Sequence, residues 1–200
     1  QISAAGDRGA QLTRQLLAFS RQQPMPKRLV DVHAAIRDLR PLLERLLGES
    51  ITVETSFRAS AATVLADPGR LDQALVNLAV NAQDAMPAGG ALEITGRVVD
   101  ADSGPESGRQ WVELYVTDTG MGMTEEVRRR IFDPFFTTKG VHGSGLGLSV
   151  VYGIMERHGG HIAVATVPGQ GSTFTLRFQI ATGSVAHKKA REDGQATVSR

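Results

Sequence analysis

Hydrophobic positions in the first segment of the chain follow the spacing of a packed helix. Over residues 1–23, apolar or small residues recur every three or four positions, from Ile2 through Leu12 to Phe19, and Pro24 then ends the run. Such a seam is typical of helices that pack against one another. The pattern predicts one helix of a bundle, or else a single amphipathic helix lying on the main domain.

The rest of the chain alternates between helical and strand-like periods. Helical spacing predicts helices over 31–47, 68–86, 124–132 and 146–158, with Asp31 as an N-cap and Pro68 near a helix start. Runs rich in β-branched residues predict strands over 51–57, 62–67, 91–99, 111–118, 161–167 and 172–180. Residues 100–109 are predicted to be a hairpin connection, and 133–145 a long irregular stretch.

Composition limits the classes of function. A chain of 200 residues with 41% hydrophobic content can bury one sizeable core. The net charge of +1, with no long basic stretch, argues against nucleic acid as a partner. The absence of cysteine excludes disulfides and thiol catalysis and fits a cytoplasmic protein. No apolar run is long enough to span a membrane, so we expect no membrane contact here, although a parent protein could be membrane-anchored.

The stretch "NLAVNAQDAM" places two amides, Asn77 and Asn81, one turn apart in a predicted helix. With Gln73 and Asp84 they form a narrow polar stripe between apolar neighbours. A thin stripe suits the wall of a cleft better than a broad solvent-facing surface. The alternative is that both asparagines are ordinary surface amides.

Glycine-rich turns occur at three places after this helix. They are "VTDTGMGM" with Asp118, Gly120 and Gly122, "GSGLGLS" from Gly143 to Ser149, and "PGQGSTF" with Gly169 and Gly171. Glycine lets backbone approach a ligand closely, and the amides at a helix start favour anions. The second stretch is therefore a candidate phosphate cradle. Neither the P-loop nor the dinucleotide-binding pattern is present.

The order of these motifs resembles the catalytic, ATP-binding domain of sensor histidine kinases, in the superfamily with the GHKL (Bergerat) nucleotide fold. "NLAVNAQDAM" resembles the N box, "FDPFFTTK" the F box, and the three glycine stretches the family's glycine boxes. The resemblance covers about residues 28–180. "LTRQLLAFSR" also resembles the end of the second helix of the dimerisation hairpin in the nitrogen-regulation subgroup.

The resemblance implies an α/β fold, a two-layer sandwich with a mixed sheet covered on one face by helices. It assigns 1–23 to the dimerisation hairpin, 24–30 to a linker, 31–180 to the catalytic domain and 181–200 to a flexible tail or linker. The expected cofactors are ATP and Mg²⁺. The expected partners are a second copy, joined through the hairpin, and the receiver domain of a response regulator.

The resemblance also implies a role for each motif residue. Asn81 would hold Mg²⁺, and Asn77 would support the phosphates or the metal. Asp118 would accept a hydrogen bond from the adenine amino group, and Thr173 would share that contact through water. The other nucleotide-binding residues would be Gly120, Gly122, Gly143, Gly145, Leu146 and Gly147.

The stretch "FDPFFTTKGVHGSG", residues 132–145, would be a lid over the nucleotide. Its strong cation, Lys139, would contact the γ-phosphate, and Phe132, Phe135 and Phe136 would dock the lid on the core or on the hairpin. Some family members carry Lys or Arg three residues after the second asparagine. Here the position is Asp84, which leaves more of the phosphate charge to Lys139.

The implied reaction is transfer of the γ-phosphate to a histidine and relay to a receiver aspartate. The family acceptor lies in the first hairpin helix, and none of this chain's histidines has that context, so we expect the acceptor outside this sequence. One alternative is an ATPase of the gyrase or heat-shock chaperone type. Those enzymes carry a water-activating glutamate where this chain has Asn77. A nucleotide-sensing module and a serine-directed kinase are further alternatives, and the hairpin-like first segment disfavours the last.

Overall fold

A computed structural model describes residues 26–57, 62–100, 108–140 and 143–181. The helix predicted for 1–23 and almost all of the tail predicted for 181–200 lie outside these ranges. The strands are β1 (Arg28–Asp31), β2 (Ile51–Phe57), β3 (Thr63–Ala66), β4 (Gly90–Asp100), β5 (Gln110–Asp118), β6 (His161–Val167) and β7 (Gly171–Gln179). The helices are α1 (Val32–Leu47), α2 (Pro68–Ala85), α3 (Glu125–Arg128) and α4 (Gly147–His158).

The main sheet has five strands in the order β2-β4-β5-β7-β6. Strands β2 and β4 run parallel, whereas β4–β5, β5–β7 and β7–β6 are antiparallel, so the sheet is mixed. Helices α1, α2 and α4 pack against one another and against these strands, in the contacts α1–β2, α2–β5 and α4–β7. The two-layer α/β fold implied by the motifs is therefore confirmed.

Helix α1 shows how the apolar pattern builds the core. Its buried residues recur at helical spacing: Val32, Ile36, Leu39, Leu43 and Leu47. The Asp31 side chain caps the helix start by accepting from the backbone N–H groups of His33 and Ala34. Gly48, at φ 75°, ends the helix. The predicted cap and boundary are both confirmed.

Strand alternation decides which side chains of β5 and β7 face the helices. On β5 the buried positions that face the helices are Val112, Leu114 and Val116, and Asp118 continues the same alternation. Trp111 is also buried, but on the other face. On β7 they are Phe174, Leu176 and Phe178, and Ser172 continues theirs. Because the side-chain period of a strand is two, Asp118 and Ser172 both face the helical layer. Thr173 faces the opposite side.

Two elements differ from the predictions. Arg28 to Asp31, at the end of the expected linker, form strand β1, which pairs antiparallel with β3 in a small second sheet. The helix predicted for 124–132 is only the four residues of α3, followed by turns. Pro134 disfavours helical backbone in the residue before it, which limits how far α3 could extend. Within the described ranges, none of the helices has the length and apolarity that crossing a bilayer requires.

Candidate functional site

Asp118 is a buried carboxylate at the end of a central strand. It is 3% exposed, and its Oδ1 accepts from the backbone N–H of Gly120 at 2.8 Å. Burial raises the pKa of Asp118, while the backbone N–H groups of Gly120 and Ser172 oppose the rise by binding the charged form. The structure thus holds a strong acceptor on the helix side of the sheet.

The first and third glycine turns pack backbone against backbone around this carboxylate. A Cβ on Gly120 would lie 2.6 Å from the carbonyl oxygen of Ala85, and one on Gly171 would overlap the Asp118 carbonyl. Gly122, at φ 62°, leaves no room for a Cβ beside the Val167 carbonyl. Each turn therefore requires glycine, because neighbouring backbone fills the space that a side chain would take.

Helix α2 connects this region to the second glycine stretch. The backbone N–H of Met121 donates to the carbonyl of Ala85 at 3.0 Å, one turn beyond Asn81. The side chain of Asn77 donates to the carbonyl of Gly147 at 3.3 Å. Asn77 and Asn81 are both half-buried. The polar stripe of α2 thus lies between the glycine turns, as expected for the wall of a cleft.

The second glycine stretch leaves an open helix start. Gly143 has no room for a Cβ beside Thr137, and Gly145 has none beside Phe135, but a Cβ on Gly147 would meet no atom within 4 Å. Helix α4 begins there with no side-chain cap and no acidic residue in its first turn. Its first amides can therefore take an anion, and the space beside Gly147 has room for one.

Leu146 contributes to this stretch through its backbone. Its side chain is 4% exposed, and its N–H donates to the Ser144 hydroxyl at 3.3 Å. The buried side chain anchors the loop, and the amide already has a weak partner. At Gly147, in contrast, the space beside the backbone is open.

Lys139 reaches back to helix α2. Its Nζ lies 2.5 Å from Asp84 Oδ2, so the cation expected to contact phosphate pairs with the acid at the end of the stripe. The sequence showed Asp84 where some members of the resembled family carry Lys or Arg, but it did not indicate that Asp84 would contact Lys139. The two residues are 55 positions apart, and no local pattern connects them.

The three phenylalanines of the lid have different environments. Phe132 packs against the core and lies 5.7 Å from Tyr152 between ring centroids, and Phe136 lies 4.4 Å beneath the Arg130 guanidinium. Phe135 is 63% exposed and has φ 67°. Phe135 therefore does not dock on the described core, because its backbone packs against that of Gly145 and its ring points outward. The predicted alternative, docking on the hairpin, lies outside the described residues and stays a prediction.

Thr173 lies on the opposite face of the sheet from Asp118, so its position does not support the adenine contact predicted for it. Thr173 pairs with Thr117 across β5 and β7, and their hydroxyls lie 3.1 Å apart on the face away from the helices. Ser172 is the residue opposite Asp118, is 6% exposed, and has its hydroxyl 3.1 Å from that of Thr166. The alternation of "GSTFTLRF" contained this signal, since Phe174, Leu176 and Phe178 place Ser172 inward.

The candidate site supplies few side-chain ligands for a metal ion. In the described part of the chain, no three His, Cys, Asp or Glu side chains form a group that could hold a metal. The half-buried amide of Asn81 offers one neutral oxygen, one helical turn after Asn77, whose side chain contacts Gly147 at the start of α4. Mg²⁺ commonly takes one or two protein ligands and completes its shell with phosphates and water. The residues present fit a cation that arrives with a nucleotide.

A two-layer α/β fold with an asparagine-bearing helix between glycine turns defines a class of nucleotide-binding domain. The family described as histidine kinase-, DNA gyrase B- and HSP90-like ATPase matches residues 66–182, more than half of the chain. The chain belongs to this family.

Within this family, the chain is similar to sensor kinases. The chain is 42% identical over 184 residues to the sensor kinase CckA of Brucella abortus, covering 88% of this chain and 19% of CckA. The structure of full-length ShkA in complex with AMPPNP matches with TM-score 0.76 and 29% identity, over 90% of this chain and 38% of ShkA. The histidine kinase ThkA in complex with the response regulator TrrA matches with TM-score 0.68 and 26% identity, over 90% of this chain and 49% of that one. The chain thus spans about a fifth of the length of CckA.

Proposed function

We propose that this chain is the catalytic, ATP-binding part of a two-component sensor histidine kinase. It binds Mg·ATP and delivers the γ-phosphate to a histidine on a dimerisation hairpin, for relay to an aspartate of a response regulator. The observation that carries the proposal is the buried Asp118 carboxylate, held among glycine turns on the same side of the sheet as the Asn77 and Asn81 stripe.

Base recognition rests on Asp118. An ionised carboxylate can accept from the adenine amino group, which guanine lacks at that position. A hydrogen bond to a charged group contributes about 1.5–3 kcal/mol, which corresponds to roughly tenfold to more than a hundredfold in affinity. Ser172 rather than Thr173 is the hydroxyl that supports this contact, because it shares the face of Asp118.

Phosphate binding rests on Asn81, Lys139 and the start of α4. Asn81 would hold Mg²⁺ through its amide oxygen, and bound Mg²⁺ supplies positive charge that neutralises the phosphates. Neutral amides on the stripe add no charge that would repel the triphosphate. The open N–H groups near Gly147 donate hydrogen bonds to the phosphates, and Lys139 is the cation near the γ-phosphate. These groups act by positioning and charge neutralisation.

Asn77 favours transfer to another nucleophile over hydrolysis. An amide cannot take a proton from water, so it cannot activate water as a general base. Its side chain instead donates to the carbonyl of Gly147, which holds α2 against the phosphate loop. The sensor kinase likeness and the ShkA complex with AMPPNP support the same function, and the ThkA complex with TrrA supports a response regulator as partner.

The test measures nucleotide binding first and transfer second. Calorimetry with Mg·AMPPNP should show binding by the chain, loss of binding in Asp118→Asn, and loss of the Mg²⁺ dependence in Asn81→Ala. Tight Mg-dependent binding by both variants would refute the site. The full-length protein should then take label from γ-labelled ATP as an acid-labile, alkali-stable phosphate. Release of free phosphate alone would indicate the ATPase, and binding without transfer or hydrolysis would indicate a nucleotide-sensing module.

A further inference from the structure

Asp84 and Lys139 form an ion pair that joins helix α2 to the lid. Their charged atoms lie 2.5 Å apart, and the side chains are 44% and 38% exposed, respectively. Asp84 lies one turn after Asn81 and two turns after Asn77, so all three share one face of the helix. The pair therefore fixes the lysine ammonium at the end of the polar stripe.

The backbone around Lys139 is held independently of this pair. The Lys139 N–H donates to the Thr137 hydroxyl at 3.1 Å. A Cβ on Gly143 would overlap that hydroxyl and lie 3.0 Å from the Lys139 Cβ, so Gly143 packs tightly on this turn. The ammonium can consequently change partner by side-chain rotation alone, without unfolding the lid.

We propose that Asp84 is a positioning residue that holds the Lys139 ammonium until the γ-phosphate of a bound nucleotide displaces the Asp84 carboxylate. The inference rests on the proposed function, in which Lys139 contacts the γ-phosphate. A carboxylate and a phosphate are both hard anions that a lysine ammonium binds, and at this site they compete for the same cation. A nucleoside diphosphate has no γ-phosphate and therefore leaves the pair intact. Asp84 thereby sets how strongly the site discriminates between ATP and ADP.

The size of the effect follows from the exposure of the pair. Ion pairs exposed to this degree change equilibria by up to about fivefold. Replacing Asp84 by Asn removes the competing anion while keeping the shape of the side chain. The triphosphate then binds the ammonium without first breaking an ion pair, so its affinity rises. The affinity of the diphosphate rises less.

A double-mutant cycle tests the inference. The four proteins are the unaltered chain, Asp84→Asn, Lys139→Gln and the double variant, and calorimetry gives the affinity of each for Mg·AMPPNP and for Mg·ADP. Asp84→Asn should bind AMPPNP about two- to fivefold more tightly, with a smaller change for ADP. In the Lys139→Gln background, the same substitution should leave the ratio of the two affinities unchanged. Asp84→Glu should restore the ratio of the unaltered chain.

The matched control is Asp38→Asn on helix α1. Asp38 is an exposed aspartate 3.8 Å from Arg37, so the substitution makes the same charge change away from the stripe. It should leave both affinities as they are. The unfolding midpoint of each variant confirms that it is folded.

Three outcomes would overturn the inference. An equal gain for both nucleotides, or a gain that persists without Lys139, would mean that Asp84 acts by general repulsion. Weaker binding in Asp84→Asn would mean that the carboxylate itself contacts the nucleotide or its metal. If the unaltered chain binds neither nucleotide, the proposed function fails, which is distinct from a failure confined to the Asp84 variants.

Discussion

The two ends of the candidate site are built in different ways. At the base end, Asp118 is buried and the glycine turns contact each other through backbone, so the geometry is part of the fold. At the phosphate end, Lys139 and Asp84 meet through exposed side chains. In the proposed function, base recognition is therefore preformed, whereas phosphate recognition depends on side chains that can exchange partners. Substitution of the buried carboxylate or of the tightly packed glycines at the base end should therefore have larger effects than substitution of Lys139 or Asp84.

The largest effect is expected at Gly171, in the turn against Asp118. Gly171 has φ 88°, and a Cβ there would overlap the Asp118 carbonyl. Gly171→Ala combines left-handed strain with a backbone clash, and should destabilise the fold by about 2–5 kcal/mol. Urea unfolding measures this loss.

Gly169→Ala is the matched control for that substitution. Gly169 lies in the same turn at φ 77°, but a Cβ there would meet no atom within 4 Å. It should cost only the left-handed strain, about 1–2 kcal/mol. Equal losses at both positions would show that the close backbone approach contributes nothing.

Asp118→Asn should separate binding from stability. The amide keeps the shape of the carboxylate but loses the charged acceptor, so affinity for Mg·AMPPNP should fall by about tenfold to a hundredfold. The fold should be retained, since burial disfavours the charged form that the substitution removes. Calorimetry and urea unfolding on the same samples test both parts. A normal affinity would place the base elsewhere.

The pH dependence sharpens this prediction. Burial raises the folded pKa of Asp118 above the unfolded value of 3.8, so its protonated form is favoured by folding. The stability it contributes is fully present below pH 3.8 and is lost as pH rises through the folded pKa. Unfolding free energies measured against pH should therefore favour the unaltered chain over Asp118→Asn in acid, and less so at neutral pH. A pH-independent difference would contradict the raised pKa.

Lys139→Gln should have a smaller effect, because the ammonium is exposed and already has a partner. We expect affinity for Mg·AMPPNP to fall by about three- to tenfold, with little change for Mg·ADP. Higher salt should reduce the difference, since exposed charges are screened. Calorimetry at two salt concentrations tests this. A loss as large as that of Asp118→Asn would contradict the comparison between the two ends.

Local rules predicted most of the fold. The apolar spacing of Ile36, Leu39 and Leu43 defined a helix face, and the alternation of β5 and β7 defined a buried sheet face, because each pattern is a direct consequence of its period. The motif order identified the fold and the glycine turns. The strand β1 was not predicted, because its four residues include charged side chains and only one buried position.

The parts that the sequence did not predict depend on distant contacts. The pairing of Asp84 with Lys139 joins residues 55 positions apart through the path of the lid. The outward ring of Phe135 follows from its backbone contact with Gly145, which hydrophobicity alone does not encode. The prediction of Thr173 does not involve a distant contact. The strand alternation that places Ser172 on the face of Asp118 is visible in the sequence itself.

The smallest effects are expected at the neighbouring residues Ser172 and Thr173. They test how far the preformed base end extends. Ser172 is buried on the face of Asp118, so Ser172→Ala should weaken Mg·AMPPNP binding by about two- to fivefold, the value of one neutral hydrogen bond. Thr173→Val removes a hydroxyl that contacts Thr117 on the opposite face of the sheet, and it should leave the affinity unchanged. Weaker binding in Thr173→Val with unchanged binding in Ser172→Ala would mean that the base lies on the outer face of the sheet. The glycine turns around Asp118 would then not define the position of the base.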